Sequence, residues 1–194
     1  MVDVVMFHHI QGLTAGVRDL AERIGGSRHR VHTPDLYAGR TFDSIEDGFA
    51  FAQTLDSGDV QHAIGDALAP LPDRLVYAGI SWGVTHAQRL AQTRANAAGA
   101  LLLEACLPVS GDWAIGAWPA GLPAQIHGHD GDEFFALEGD IESARQLVVQ
   151  SGGAAQLYSY VGDSHLFCDR SLPGFDAEAT DLLVTRVRAW LDQV

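Results

Sequence analysis

The chain contains no lysine; all twelve of its basic residues are arginine. That absence excludes a lysine Schiff base to pyridoxal phosphate and a P-loop lysine on a nucleotide phosphate. Cysteine is scarce as well. Cys106 and Cys168 make no disulfide framework and are expected to stay reduced, as in a cytoplasm. No apolar run approaches the roughly 18 residues of a membrane span. The opening Met1–Phe7 lacks a basic leader and reads as a first strand instead of a signal peptide. Positive charge is outnumbered, 12 basic residues against 25 acidic, for a net charge of −13. That balance argues against nucleic acid and membrane surfaces as partners.

What is present suits a soluble protein. Of 194 residues, 47% are apolar and 19% charged, enough for one globular domain over residues 1–194 with a sizeable core. A monomer or small homo-oligomer is expected. Strand-like and helix-like runs alternate throughout. Strands are expected at Val2–His8, Arg28–Thr33, Leu75–Gly79, Ala98–Glu104, Leu122–His127 and Ala154–Tyr160. Helices are expected from Thr14 to about Ile24, from Ser44 toward Leu55, over Asp59–Ala69 and over Trp82–Arg94. Two more run from about Gly139 to Ser151 and onward from an Asp176 cap. Short apolar strands separated by helices imply an α/β fold: a mostly parallel sheet of about six strands with helices on both faces. Right-handed crossovers then gather functional loops at the carboxyl ends of the strands.

The most informative run is Leu75–Ala91, a buried strand, a sharp turn and a helix. At the turn, Gly79-Ile80-Ser81-Trp82-Gly83 matches G-x-S-x-G. Glycines permit a strained turn that lifts a serine hydroxyl above the sheet, at the positive end of a helix. Ser81 is therefore the candidate nucleophile. A serine hydroxyl is inert near pH 7 without a base, and the base needs an orienting acid. The fifth strand runs into the acid-rich His127–Phe135 loop, and the sixth into Val161–Phe167, which holds the last histidine. The order Ser81, then Asp132 or Asp130, then His165 is that of α/β-hydrolases. The oxyanion site would use the N–H of Trp82 and, from the loop after the first strand, the N–H of Ile10.

Six segments in order resemble the dienelactone hydrolase family of α/β-hydrolases. They are His8–Leu13, His32–Tyr37, Gly79–Gly83, His127–Phe135, Gly162–Phe167 and Ser171–Phe175. The resemblance implies the α/β-hydrolase fold over nearly the whole chain and no cofactor. In the family the acid lies five residues beyond the histidine ending its strand, which favours Asp132 over Asp130. Family members with a cysteine nucleophile place a glutamate after the first strand, and arginines hold their substrate carboxylate. Here those positions are Ser81, His9 and Asp169, with Arg170 next. The resemblance with a serine nucleophile implies hydrolysis of small carboxylic esters or lactones. A thioesterase or acyl transferase with the same residues remains open, as does a silent homologue acting as a binding protein.

Other signals carry less. His127-x-His129 beside Asp130 and Asp132 has a metal-like spacing, but His127 is expected to order the acid loop, and no metal is expected. His86 should be packed or solvent-facing, and Cys168 a small buried filler. Trp82, Trp113 and Trp118 are candidates for an acyl pocket.

Overall fold

Six strands, all parallel, form one sheet in the order β2-β1-β3-β4-β5-β6 in the computed structural model, which describes residues 1–194. The strands are β1 (Asp3–Phe7), β2 (Arg30–His32), β3 (Leu75–Ile80), β4 (Ala97–Leu103), β5 (Ala124–His129) and β6 (Ala155–Tyr160). The helices are α1 (Ala15–Gly25), α2 (Ile45–Ala52), α3 (Ser57–Leu68), α4 (Trp82–Thr93), α5 (Asp140–Gln150) and α6 (Ala177–Leu191). No helix is long and apolar enough to cross a membrane.

Strand periodicity builds two cores. Along β1, Val4 and Met6 face one side, where Leu20 and Ile24 of α1 and Leu183 and Val187 of α6 meet them. Val5 and Phe7 face the other, in the core that α4 covers with Val84 and Ala87 and that extends to Ile64 of α3 and Leu147 of α5. Because both faces are covered, all six residues of β3 are buried. That explains why Leu-Val-Tyr-Ala-Gly-Ile is continuously apolar instead of alternating. Helix starts follow the anticipated caps: Thr14, Ser44 and Asp176 accept backbone N–H groups from Val17, Asp47 and Ala179.

The chain leaves β1 for β2 on one side and then crosses to β3 on the other. The carboxyl ends of β1 and β3 therefore diverge at a topological switch point, the place where parallel sheets open a crevice. The segments His8–Leu13 and Ser81–Gly83 flank it.

Several boundaries differ from expectation. Strand β2 is only three residues long, β5 continues through His129, and α3 starts at Ser57 behind an Asp56 cap. A π-helical turn at Glu133–Leu137 had no periodic signal, because a single turn is too short to show one.

Candidate active site

At the β3–α4 junction, Ser81 has φ 49° and ψ −114°, a left-handed conformation foreign to a non-glycine residue. Such a residue costs on the order of 1–3 kcal/mol and persists only where its surroundings enforce it. Two glycines enforce it here. A Cβ on Gly79 would collide with the backbone of Gly83, and one on Gly83 with the carbonyl oxygens of Phe7 and His8. The first turn of α4 is thereby pressed against the ends of both β1 and β3.

Ser81 Oγ lies 2.8 Å from His165 Nε2, and His165 Nδ1 lies 2.7 Å from Asp132 Oδ2. The structure thus joins three distant residues in one hydrogen-bonded chain. Asp132 is fully buried, and its Oδ1 accepts the Phe134 N–H as the cap of the π-helical turn. Asp130 is exposed and takes no part; its Oδ1 accepts the Gly162 N–H, bracing the two loops against each other. Burial works to lower the His165 pKa. The hydrogen bond to Asp132 and the charges of Glu104, Asp132 and Asp140 outweigh it and raise the pKa above the usual imidazole value.

Glu104 joins the site without a motif to mark it. It follows β4, is 1% exposed, and has φ 61°. Its Oε2 accepts the Leu166 N–H, its Oε1 accepts the Cys168 N–H at 3.4 Å, and Oε2 lies 3.9 Å from His165 Nδ1. Leu166 itself has φ 60°. The carboxylate therefore holds the strained loop that carries His165. Burial pushes the Glu104 carboxyl up while the nearby His165 pulls it down, and burial wins. The available signal was an acid closing the all-apolar run Ala97–Leu103 at a carboxyl end.

The loop after β1 is locked from both sides. His9 and Asp169 are fully buried, with His9 Nε2 donating to Asp169 Oδ2 at 2.8 Å and His9 Nδ1 accepting the Gln11 N–H at 3.2 Å. Thr14 and Ser171 hydroxyls also donate to Asp169. Burial alone would raise the Asp169 pKa, but hydrogen bonds from His9, Ser171 and Thr14 hold it at about 2. This pair ties the Ile10 loop to the His165 loop. His8 ties the same loop to the segment after β2, donating from Nδ1 to the His9 carbonyl and accepting the Leu36 N–H at Nε2. Ile10 is buried beside Ser81, and neither its N–H nor that of Trp82 is engaged by a turn, loop or cap hydrogen bond. Arg170 is not in the site: it faces solvent and pairs with Asp19 at 2.6 Å.

A cavity of about 320 Å³ opens over these residues, bounded in part by Ile10, Ile45, Phe49, Leu107 and Phe134. Trp82 lines it, but Trp113 and Trp118 do not: Trp113 is 90% exposed, and Trp118 is buried with its indole N–H on the Leu122 carbonyl. Glu104, Asp132 and His165 bring donor atoms within 4.8 Å of one another, a spacing a metal could bridge. Those atoms are already occupied with each other and with loop N–H groups. His127 does not order the acid loop. Its ring bonds Tyr160 Oη and Gln125 Oε1 and stacks on Tyr158, while His129 Nδ1 reaches the Ser164 carbonyl next to His165. His86 is buried edge-on to Trp82, and Cys168 is a buried thiol pushed well up by burial.

No protein-family model matches the chain, and no curated protein sequence does. Solved structures do. A Klebsiella pneumoniae chain assigned as a dienelactone hydrolase is 17% identical with a TM-score of 0.75, covering 99% of this chain and 87% of its own. The dienelactone hydrolase-like promiscuous phosphotriesterase P91 from metagenomic libraries is 16% identical with a TM-score of 0.74, covering 100% and 86%. Thermogutta terrifontis esterase 2, seen phosphoramylated by tabun, is 18% identical with a TM-score of 0.66, covering 99% and 83%. The chain accordingly has the α/β-hydrolase fold in the form taken by dienelactone hydrolase-like proteins.

Proposed function

We propose that the protein is a serine hydrolase of small carboxylic esters or lactones. The observation that carries this is the hydrogen-bonded chain Ser81–His165–Asp132, with its serine on a strained turn at the mouth of a cavity. His165 Nε2 takes the Ser81 proton as Oγ attacks the ester carbonyl carbon. The developing oxyanion is received by the N–H groups of Trp82 and Ile10. His165 then returns the proton to the departing alkoxide, leaving an acyl-enzyme on Ser81. Water, deprotonated by His165, hydrolyses that ester and restores the hydroxyl. Asp132 holds the imidazole with its Nδ1 proton inward and stabilises the cation formed in each step. The esterase and dienelactone hydrolase-like character of the structural neighbours supports this reading. Two buried cysteines without a disulfide fit a reducing compartment such as the cytoplasm.

Ser81→Ala is expected to abolish turnover of a chromogenic short-chain ester while leaving the melting temperature within a few degrees. Turnover persisting within a few-fold of wild type would overturn the assignment.

A further inference from the structure

The cavity above Ser81 is lined by aromatic faces and carboxylates, and its one basic group is the imidazole of His165. Phe49, Trp82 and Phe134 line it together with Glu138 and Asp140, while the Glu104 carboxylate behind the wall is buried on the Leu166 and Cys168 N–H groups, and no arginine contributes. The arginines near these loops are engaged elsewhere: Arg170 with Asp19, Arg145 with Glu142, and Arg40 over the Phe51 ring. Neither Glu138 nor Asp140 has a basic partner. Asp140 is half-buried at the first turn of α5, and its Oδ2 accepts the Cys106 N–H at 3.0 Å, which fixes the carboxylate at the cavity wall.

Two physical effects then act on a substrate entering this space. A carboxylate would be desolvated among like charges with no arginine to pair with it, since the His165 imidazole is already engaged by Asp132 and Ser81. An ammonium group would meet partly desolvated carboxylates and the electron-rich faces of aromatic rings, the environment in which quaternary ammonium groups are bound. The net charge of −13 reinforces the same preference at long range.

Resting on the esterase reading above, we infer that this cavity selects esters bearing a cationic ammonium group and rejects esters bearing a carboxylate. Glu138 and Asp140 supply the discrimination, and Phe49, Trp82 and Phe134 the surface on which the cation lies. The substrate class is thus opposite in charge to one held by arginines.

The test compares three acetate esters of matched size: trimethylammonioethyl, 3,3-dimethylbutyl and 3-carboxy-3-methylbutyl acetate. The expected order of kcat/KM is cationic, neutral, anionic, with the cationic ester about tenfold above its neutral isostere. That ratio should shrink as salt is raised. Asp140→Asn keeps an oxygen for the Cys106 N–H, and Glu138→Gln is an exposed alternative should the first variant fold poorly. Either should draw the cationic-to-neutral ratio toward one. Equal rates for the cationic and neutral esters, or a preference for the anion, would overturn the inference. Fluorophosphonate labelling of Ser81 separates the two readings. If Ser81 is labelled but the cationic ester is not preferred or none of the three esters is cleaved, the charge selection falls and the nucleophile assignment stands. If Ser81 is not labelled, the esterase reading falls and takes the charge selection with it.

Discussion

Three of the four non-glycine residues with positive φ surround one imidazole: Ser81, Glu104 and Leu166, the fourth being Ala38. Backbone strain gathers where side chains must be aimed, because an unstrained backbone would point them elsewhere. Ser81 was readable from the glycines that flank it, and His165 from its place after the sixth strand. The role of Glu104 was not, since the sequence shows an acid at a strand end but not the loop N–H groups it accepts. The residue makes two separable contributions. Glu104→Ala should strand the Leu166 and Cys168 N–H groups in a dry interior at about 1–3 kcal/mol each, lowering the thermal midpoint. Glu104→Gln keeps acceptor capacity but removes the charge that raises the His165 pKa. A base works only when neutral, so kcat/KM should rise with pH through an apparent pKa above about 6.5 in the wild type. In the Gln variant that acid limb should move to lower pH, as read from a pH–rate profile. An unmoved limb would mean Glu104 acts on the loop alone.

The junction of β3 and α4 shows why element type was easier to read than element boundary. Continuous apolar residues from Leu75 to Ile80, followed by helical spacing through Ala91, leave no other assignment. Boundaries depend on partners that lie far away in the chain. Strand β5 runs to His129 because Gly128 and His129 pair with Ser159 and Tyr160 of β6, which local sequence does not disclose. The expected role of His127 in ordering the acid loop differs from the observed one for a related reason: its Tyr160 partner lies on a neighbouring strand, 33 residues away. The two glycines of the turn are the weakest points of the element. Gly83→Ala would drive a methyl into the carbonyls that end β1, so α4 must retreat from Ile10 and Ser81 together. The expected result is loss of esterase activity with destabilisation of about 1–3 kcal/mol, measured by urea unfolding. A fully active, equally stable variant would show that the close approach is not required.

Across the whole molecule, the parallel six-strand architecture with helices on both faces was legible in the alternation of strands and helices, whereas the strand order β2-β1-β3-β4-β5-β6 and the convergence of loops from β1, β3, β4, β5 and β6 depend on the folded ensemble. Buried histidines are part of that ensemble, and they set a pH response. Burial lowers the pKa of His8 and His86 to about 4 and of His127 to about 3. In the unfolded chain the same rings protonate near 6.5, so between about 6.5 and 4 the unfolded state binds more protons at these three sites. Stability therefore falls as pH falls through that window. His165, raised, opposes the trend at its upper end and Glu104 and Asp140, both raised, at its lower end, leaving three lowered imidazoles to set the direction. Asp169, held at about 2, contributes only below the usual carboxylate range. Urea midpoints measured from about pH 7 to pH 5 should decline. A flat or rising series would contradict the buried neutral state of these rings.

The nucleophile can be tested without knowing the substrate. Wild-type protein treated with a fluorophosphonate, then weighed intact and mapped by peptide mass spectrometry, should gain a single adduct on the peptide containing Ser81. His165→Gln should slow that gain by on the order of 10³-fold or more, because the hydroxyl loses its base. An adduct on any other residue, or labelling of Ser81 that is as fast without the imidazole, would contradict the account.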